Sequence, residues 1–196
     1  EGFLVVGRLL TPRPYRFDVL RMTLINILRP VRGLALKVLV DNRFMIRFNH
    51  VADREKAING CPWNFYWNLI ILNRATAEDD PLQVDLSHSP FQVHIHGLLV
   101  RMMTREVVEA IGTRIGSAVH YDHTQPKFVW GSKMRVKVSL DIRKPLKRVL
   151  RVCSSGGEEV IVSFTYETLP TFYYACGILG HMMCDCSARL EALDRG

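Results

Sequence analysis

Cys176, His181 and Cys186 follow one another with four residues between neighbours, and Cys184 lies between the last two. Thiolate and imidazole are the ligand types that close a tetrahedron around zinc, and a very short loop does so with the spacing Cys-x2-Cys-x4-His-x4-Cys. The last three positions of that spacing are filled here, and Gly177 and Gly180 sit where the backbone must turn tightly. Tyr173 stands where the first cysteine belongs. Zinc is the expected cofactor, held by Cys176, His181 and Cys186, with water or Cys184 completing the set. A loosely folded vestige without zinc is the alternative, because a missing thiolate removes much of the binding free energy of such a site.

The five cysteines are odd in number, and Cys61 and Cys153 stand alone. That pattern suits a metal site in a reducing compartment better than a secreted disulfide framework, so the expected location is intracellular, in nucleus or cytoplasm. Cys61 and Cys153 read as small buried hydrophobes.

A second chemistry lies in the cations. The formal charge is +7, with nets of +7 over residues 1–75, −3 over 76–130, +4 over 131–170 and −1 over 171–196. Lys133, Arg135 and Lys137 alternate with Met134, Val136 and Val138, which puts the basic residues on one face of a strand. Arg143, Lys144, Lys147, Arg148 and Arg151 follow on a segment expected to lie beside it. Such a density of positive charge attracts phosphates through counterion release, although an ordinary solvated sheet face would alternate in the same way. Reversing Arg135, Lys137, Lys147 and Arg148 together is expected to weaken binding. Phe172 and Tyr174, beside the metal loop, are of a type to stack on bases.

Catalytic constellations are missing: there is no nucleophile elbow, phosphate-cradling glycine loop or carboxylate pair, and no small-molecule substrate is indicated. The chain is expected not to be an enzyme. His94 and His96 share a strand face, with His120 and His123 further on, but no thiolate or carboxylate accompanies them at ligand spacing, so a structural role is expected. No apolar run reaches the ~18 residues of a membrane span. The start, Glu1-Gly2-Phe3, lacks a Met or a signal region and is expected for a piece of something longer.

The elements that must position these residues are α+β. Phe3 to Leu9 reads as a strand, and Phe17, Leu20, Leu24, Ile27 and Leu28 recur at helical spacing up to Pro30. Leu34–Val40 and Arg43–Phe48 flank an Asp41-Asn42 turn, Asp53 is placed to cap a helix through Ile58, and Trp67–Leu72 closes the unit. That order, βαββαβ over residues 1–77, is ferredoxin-like and shared by RNA-recognition modules. Residues where such a module stacks bases are here Val5, Arg43 and Met45, so the fold is expected without its stacking platform, with Arg43 and Arg47 left to meet phosphate. Pro62, Trp63, Phe65, Tyr66 and Trp67 cluster, and a core role weighs more than stacking. Residues 78–90, with Glu78-Asp79-Asp80-Pro81, read as a linker. Residues 91–168 read as a second α/β unit rich in antiparallel strands, with a helix capped by Thr104 and ended by Gly116, and a turn at Ser154-Ser155-Gly156-Gly157. Residues 169–187 hold the degenerate metal loop, and 188–196 are a tail.

Several landmarks recur in a known order: Leu4-Val5-Val6-Gly7-Arg8-Leu9, Arg29-Pro30 with Gly33, Gly60-Cys61-Pro62-Trp63, Val93-His94-Ile95-His96-Gly97-Leu98, Ile115-Gly116, Asp141-Ile142-Arg143-Lys144-Pro145-Leu146, and Leu169-Pro170 through Cys186. In these the chain resembles plant retrotransposon-derived proteins of the LINE type, in which a domain of unknown function precedes a CCHC zinc knuckle. The resemblance implies binding of RNA or single-stranded DNA, zinc binding and no enzymatic activity. Of the knuckle ligands, Cys176, His181 and Cys186 carry over, while Tyr173 departs from the pattern. The rival expectation is a protein-interaction or self-assembly scaffold with a vestigial, zinc-free knuckle.

Overall fold

The computed structural model describes residues 2–121, 134–153, 156–187 and 189. Lys133, His123 and most of the 188–196 tail therefore lie outside the described residues, as do Ser154 and Ser155 of the expected turn and the side chain of His120. The described chain is α+β, with three α-helices and two five-stranded antiparallel sheets.

The first sheet is built from β1 (Phe3–Leu9), β2 (Leu34–Val38), β3 (Arg43–Phe48), β4 (Trp63–Phe65) and β5 (Asn68–Ala75), in the order β2-β3-β1-β5-β4. Helix α1 (Phe17–Leu28) follows β1, and α2 (Val51–Asn59) follows β3. Strand alternation sends Val5 and Leu9 of β1, Phe44, Ile46 and Phe48 of β3, and Ile70 and Leu72 of β5 to one face, where Leu20, Leu24 and Leu28 of α1 meet them. Helix α1 ends before Pro30 as its spacing requires, and Asp41 and Asn42 take φ of 55° and 59°, the left-handed values that a tight hairpin demands.

Two local expectations change. The closing strand is a hairpin, with β4 preceding β5 and Tyr66-Trp67 forming its turn. Nor does Asp53 cap α2: His50 does so, its Nδ1 accepting from the Ala52 N–H. Asp53 is buried one turn further on, where its two carboxylate oxygens accept the N–H groups of Val31 and Arg32, each at 3.0 Å. The bond to Arg32, then that to Val31, holds this carboxyl below the usual range. A depressed carboxyl stabilises the fold above its unfolded pKa of about 4 and loses that contribution as pH falls. Asp53→Ala is expected to lower the thermal midpoint at pH 7, with the gap to the wild type narrowing below about pH 4. Thermal melts across that range check this.

The second sheet holds β6 (His88–His96), β7 (Ser117–Tyr121), β8 (Met134–Asp141), β9 (Val149–Cys153) and β10 (Glu159–Tyr166), in the order β7-β8-β6-β10-β9. Helix α3 (Arg105–Ile115) starts at Thr104, whose hydroxyl accepts the Val107 N–H, and ends at Gly116. The strand order repeats that of the first sheet: β6 stands for β1, the pair β7 and β8 for β2 and β3, and β9 with β10 for β4 with β5. Helix α3 stands for α1, and residues 142–148 carry no counterpart of α2. The shared strand order is not visible in the residues, since β1 and β5 have buried residues on both faces whereas burial alternates along β6.

Phe91, Val93 and Ile95 of β6, Val136 and Val138 of β8, Val162 and Phe164 of β10, and Val108 and Ile111 of α3 form the second core. It also contains Val6, Leu69 and Ile71, which lie on the face of the first sheet turned away from α1 and α2. All three are fully buried, so that face is spent on internal packing. Arg43, on the same face, donates to the carbonyls of Pro81 and Val84 and pins the linker. Among the described residues no helix is long and apolar enough to cross a membrane.

Candidate metal centre and nucleic-acid interface

After β10 the backbone folds back on itself. Phe172 and Leu179 form an isolated antiparallel bridge, the Gly177 N–H donates to the Tyr173 carbonyl, and the Gly180 N–H donates to that of Thr171. Gly177 and Gly180 both take positive φ, 73° and 87°. Gly180 is needed twice over, since a Cβ there would fall 2.5 Å from Leu10 Cγ.

This turn gathers Cys176, His181 and Cys186, whose ligand atoms all lie within 4.8 Å of one another. Cys176 Sγ is 3.3 Å from His181 Nε2, and Cys186 is buried beneath the loop. Ligand atoms of a tetrahedral zinc lie about 3.3–3.8 Å apart, so two thiols and an imidazole at these separations fit the ion with a small contraction. Among the described residues no fourth ligand joins them. The Tyr173 ring stands edge-on to His181 with centroids 6.4 Å apart. Cys184 is exposed, its thiol donating to Asp185 at 3.4 Å and facing Arg13 at 3.9 Å.

The cations divide differently from the single track that their spacing suggests. β8 and β9 are separated by β6 and β10, a distance of about 14 Å at ordinary strand spacing, which corrects the expectation of neighbouring strands. On β8, Arg135 pairs with Glu167 at 2.8 Å and Lys137 donates to the Asn59 carbonyl at the end of α2. Burial pushes the Glu167 carboxyl up, but Arg135 and His94 outweigh it and hold the group below the usual range. Arg143 bonds Asp141 at 2.9 Å and keeps that carboxyl well below its ordinary value, with Lys144 at 3.6 Å. Among the described residues, Lys147 and Arg148 donate to backbone carbonyls, of Arg114 and Tyr174, and face no carboxylate in an ion pair. Arg151 is exposed on β9.

Arg148 thus sits on the knuckle itself, beside Tyr174, which is 71% exposed and lies 4.5 Å from Phe172 between ring centroids. Phe172 is half-buried against the second core. Arg13 reaches the other flank, 3.9 Å from Asp185, and nothing in the order of residues announces that meeting across the length of the chain. His94 and His96 do share a face, but they bond Glu167 at 2.7 Å and Thr165 at 2.8 Å, the structural role expected of them. Cys61 is buried, which pushes its thiol up to about 12, whereas Cys153 is exposed, against expectation.

No curated protein matches this chain. Residues 140–188 match the family model described as zinc knuckle. The match begins upstream of the metal loop, where the structure supplies a reason: the Leu146 N–H donates to the Gly177 carbonyl and Pro145 packs beside Gly177. The chain therefore carries a zinc-knuckle segment, with a Cys-His-Cys group compatible with zinc at its centre.

Proposed function

We propose that this chain is a non-catalytic module that binds RNA or single-stranded DNA through its knuckle, with zinc held by Cys176, His181 and Cys186. The observation that carries the reading is the convergence on one small loop of a zinc-ready ligand set, an exposed Tyr174 and the charged Arg148. Zinc would supply the cross-link that fixes a loop too short to have a core of its own. Tyr174 offers a ring face to a base, Arg148 and Lys147 offer charge to phosphate, and a single strand is preferred because its bases are free to stack.

The first unit is read as RRM-like. Its βαββαββ order, with two helices, and the strand order β2-β3-β1-β5 support this. It acts as a scaffold here, since the face that such modules offer to RNA holds the buried Val6, Leu69 and Ile71. The resemblance to plant LINE-type proteins supports a retroelement-derived origin, and the free cysteines support work in the nucleus or cytoplasm.

Titrating the intact chain with fluorescent single-stranded and duplex oligonucleotides tests the reading. Tighter binding of the single strand is expected, and equal or absent binding of both would count against it.

A further inference from the structure

Tyr66 and Trp67 form the two-residue turn between β4 and β5, and their φ angles are 46° and 66°. Turns of this kind take Asn-Gly, because only residues at ease with positive φ fit both places. Bulky aromatics here are uncommon, and backbone strain of this sort gathers at functional sites. The core does not require these two side chains: Tyr66 is 74% exposed and Trp67 73%, while their neighbours Trp63 and Phe65 pack into the first core.

The turn is clamped to the knuckle. The Thr171 N–H donates to the Trp67 carbonyl, and Asn64 Nδ2 donates to that of Thr168 at 2.8 Å. Between turn and knuckle lies a cleft of about 90 Å³, whose lining includes Arg13, Tyr66, Asn68, Thr171, His181 and Asp185. The exposed Tyr66 ring, Arg13 and the metal loop thus share one cleft, and the exposed Trp67 follows Tyr66 in the same turn.

We propose that Tyr66 and Trp67 are a base-stacking subsite for single-stranded nucleic acid, continuous with the knuckle and served by Arg13 as its phosphate contact. The inference rests on the nucleic-acid reading above and extends it to a unit outside the knuckle segment. Charge favours an anionic occupant: the chain carries a net +7, and Arg13 in the cleft is 62% exposed and only loosely paired with Asp185 at 3.9 Å. Stacking selects its form, since a base in a duplex has no free face to offer a protruding ring.

The test is the intact chain carrying Tyr66→Asn and Trp67→Gly together. These residues suit the turn, so the thermal midpoint is expected to equal or exceed that of the wild type. Affinity for an oligo(dT) strand is expected to fall about tenfold or more. Unchanged affinity in this variant overturns the subsite alone and leaves the knuckle reading standing. A wild type that does not bind overturns both. As a readout that does not depend on the double variant, oligo(dT) should quench tryptophan fluorescence in the wild type and much less in Trp67→Leu. Equal quenching in the two overturns the proposal, as does a double variant that loses self-association but keeps its affinity.

Discussion

Tyr173→Cys is expected to raise the chain's zinc affinity by roughly a hundredfold or more. A four-ligand structural zinc site binds with about 10–16 kcal/mol near neutral pH, so each ligand is worth on average about 2.5–4 kcal/mol. Position 173 is already in the right place. Its carbonyl accepts the Gly177 N–H, its N–H donates to the Ile178 carbonyl, and its side chain lies against His181. The wild type, with three ligands, should still take up one zinc per chain but release it to a moderate chelator that the variant resists. Cys184→Ser should leave the wild-type affinity unchanged, because that thiol faces Asp185 and Arg13 rather than the ligand group. Competition against a chromophoric chelator measures all three. A wild type that already holds zinc as tightly as Tyr173→Cys would mean that a fourth ligand has been overlooked.

The second large effect concerns charge. Lys147→Glu with Arg148→Glu is expected to weaken single-strand binding more than any other pair of reversals among the eight cations, and to flatten its salt dependence. Each phosphate contact to a single strand contributes about −0.7 to the slope of log K against log salt, so losing two should reduce the slope by roughly 1.4. Arg135 and Lys137 are poorer choices than their alternation suggests. Reversing Arg135 places a carboxylate against Glu167, and reversing Lys137 removes a bond to the end of α2. Arg143 and Lys144 are partly neutralised by Asp141. Loss of binding from an Arg135 or Lys137 variant would therefore report on folding, and circular dichroism of those variants should show it. Equal effects from all pairs would argue for a diffuse field rather than a knuckle-centred site.

How much of this was legible beforehand depended on the range of the interaction. β-forming residues mark β1, a turn-bounded run marks β3 and an i, i+4 leucine row marks α1, all of them local signals. The ligand group was legible for the same reason, since ten residues of spacing encode its geometry. The role of Asp53 is not legible, because its partners, Val31 and Arg32, lie across a turn that no local pattern announces. The placing of the β8 and β9 cations is not legible, because alternation reveals a face but not a sheet order, and β6 and β10 intervene. Leu10 against Gly180 and Arg13 beside Cys184 belong to the docking of one unit on another, which has no sequence period at all. The same holds for Val6, Leu69 and Ile71: an apolar stripe predicts burial, but not that the covering comes from the rest of the chain.

The central claim is that a zinc-supported knuckle binds single-stranded nucleic acid with help from nearby cations. Its most direct test is a titration of the zinc-loaded chain with a fluorescent single strand at several salt concentrations, repeated after chelation. The account predicts binding that weakens steeply as salt rises and falls again when zinc is removed. Affinity indifferent to both salt and chelator, or no binding at low salt, would contradict it.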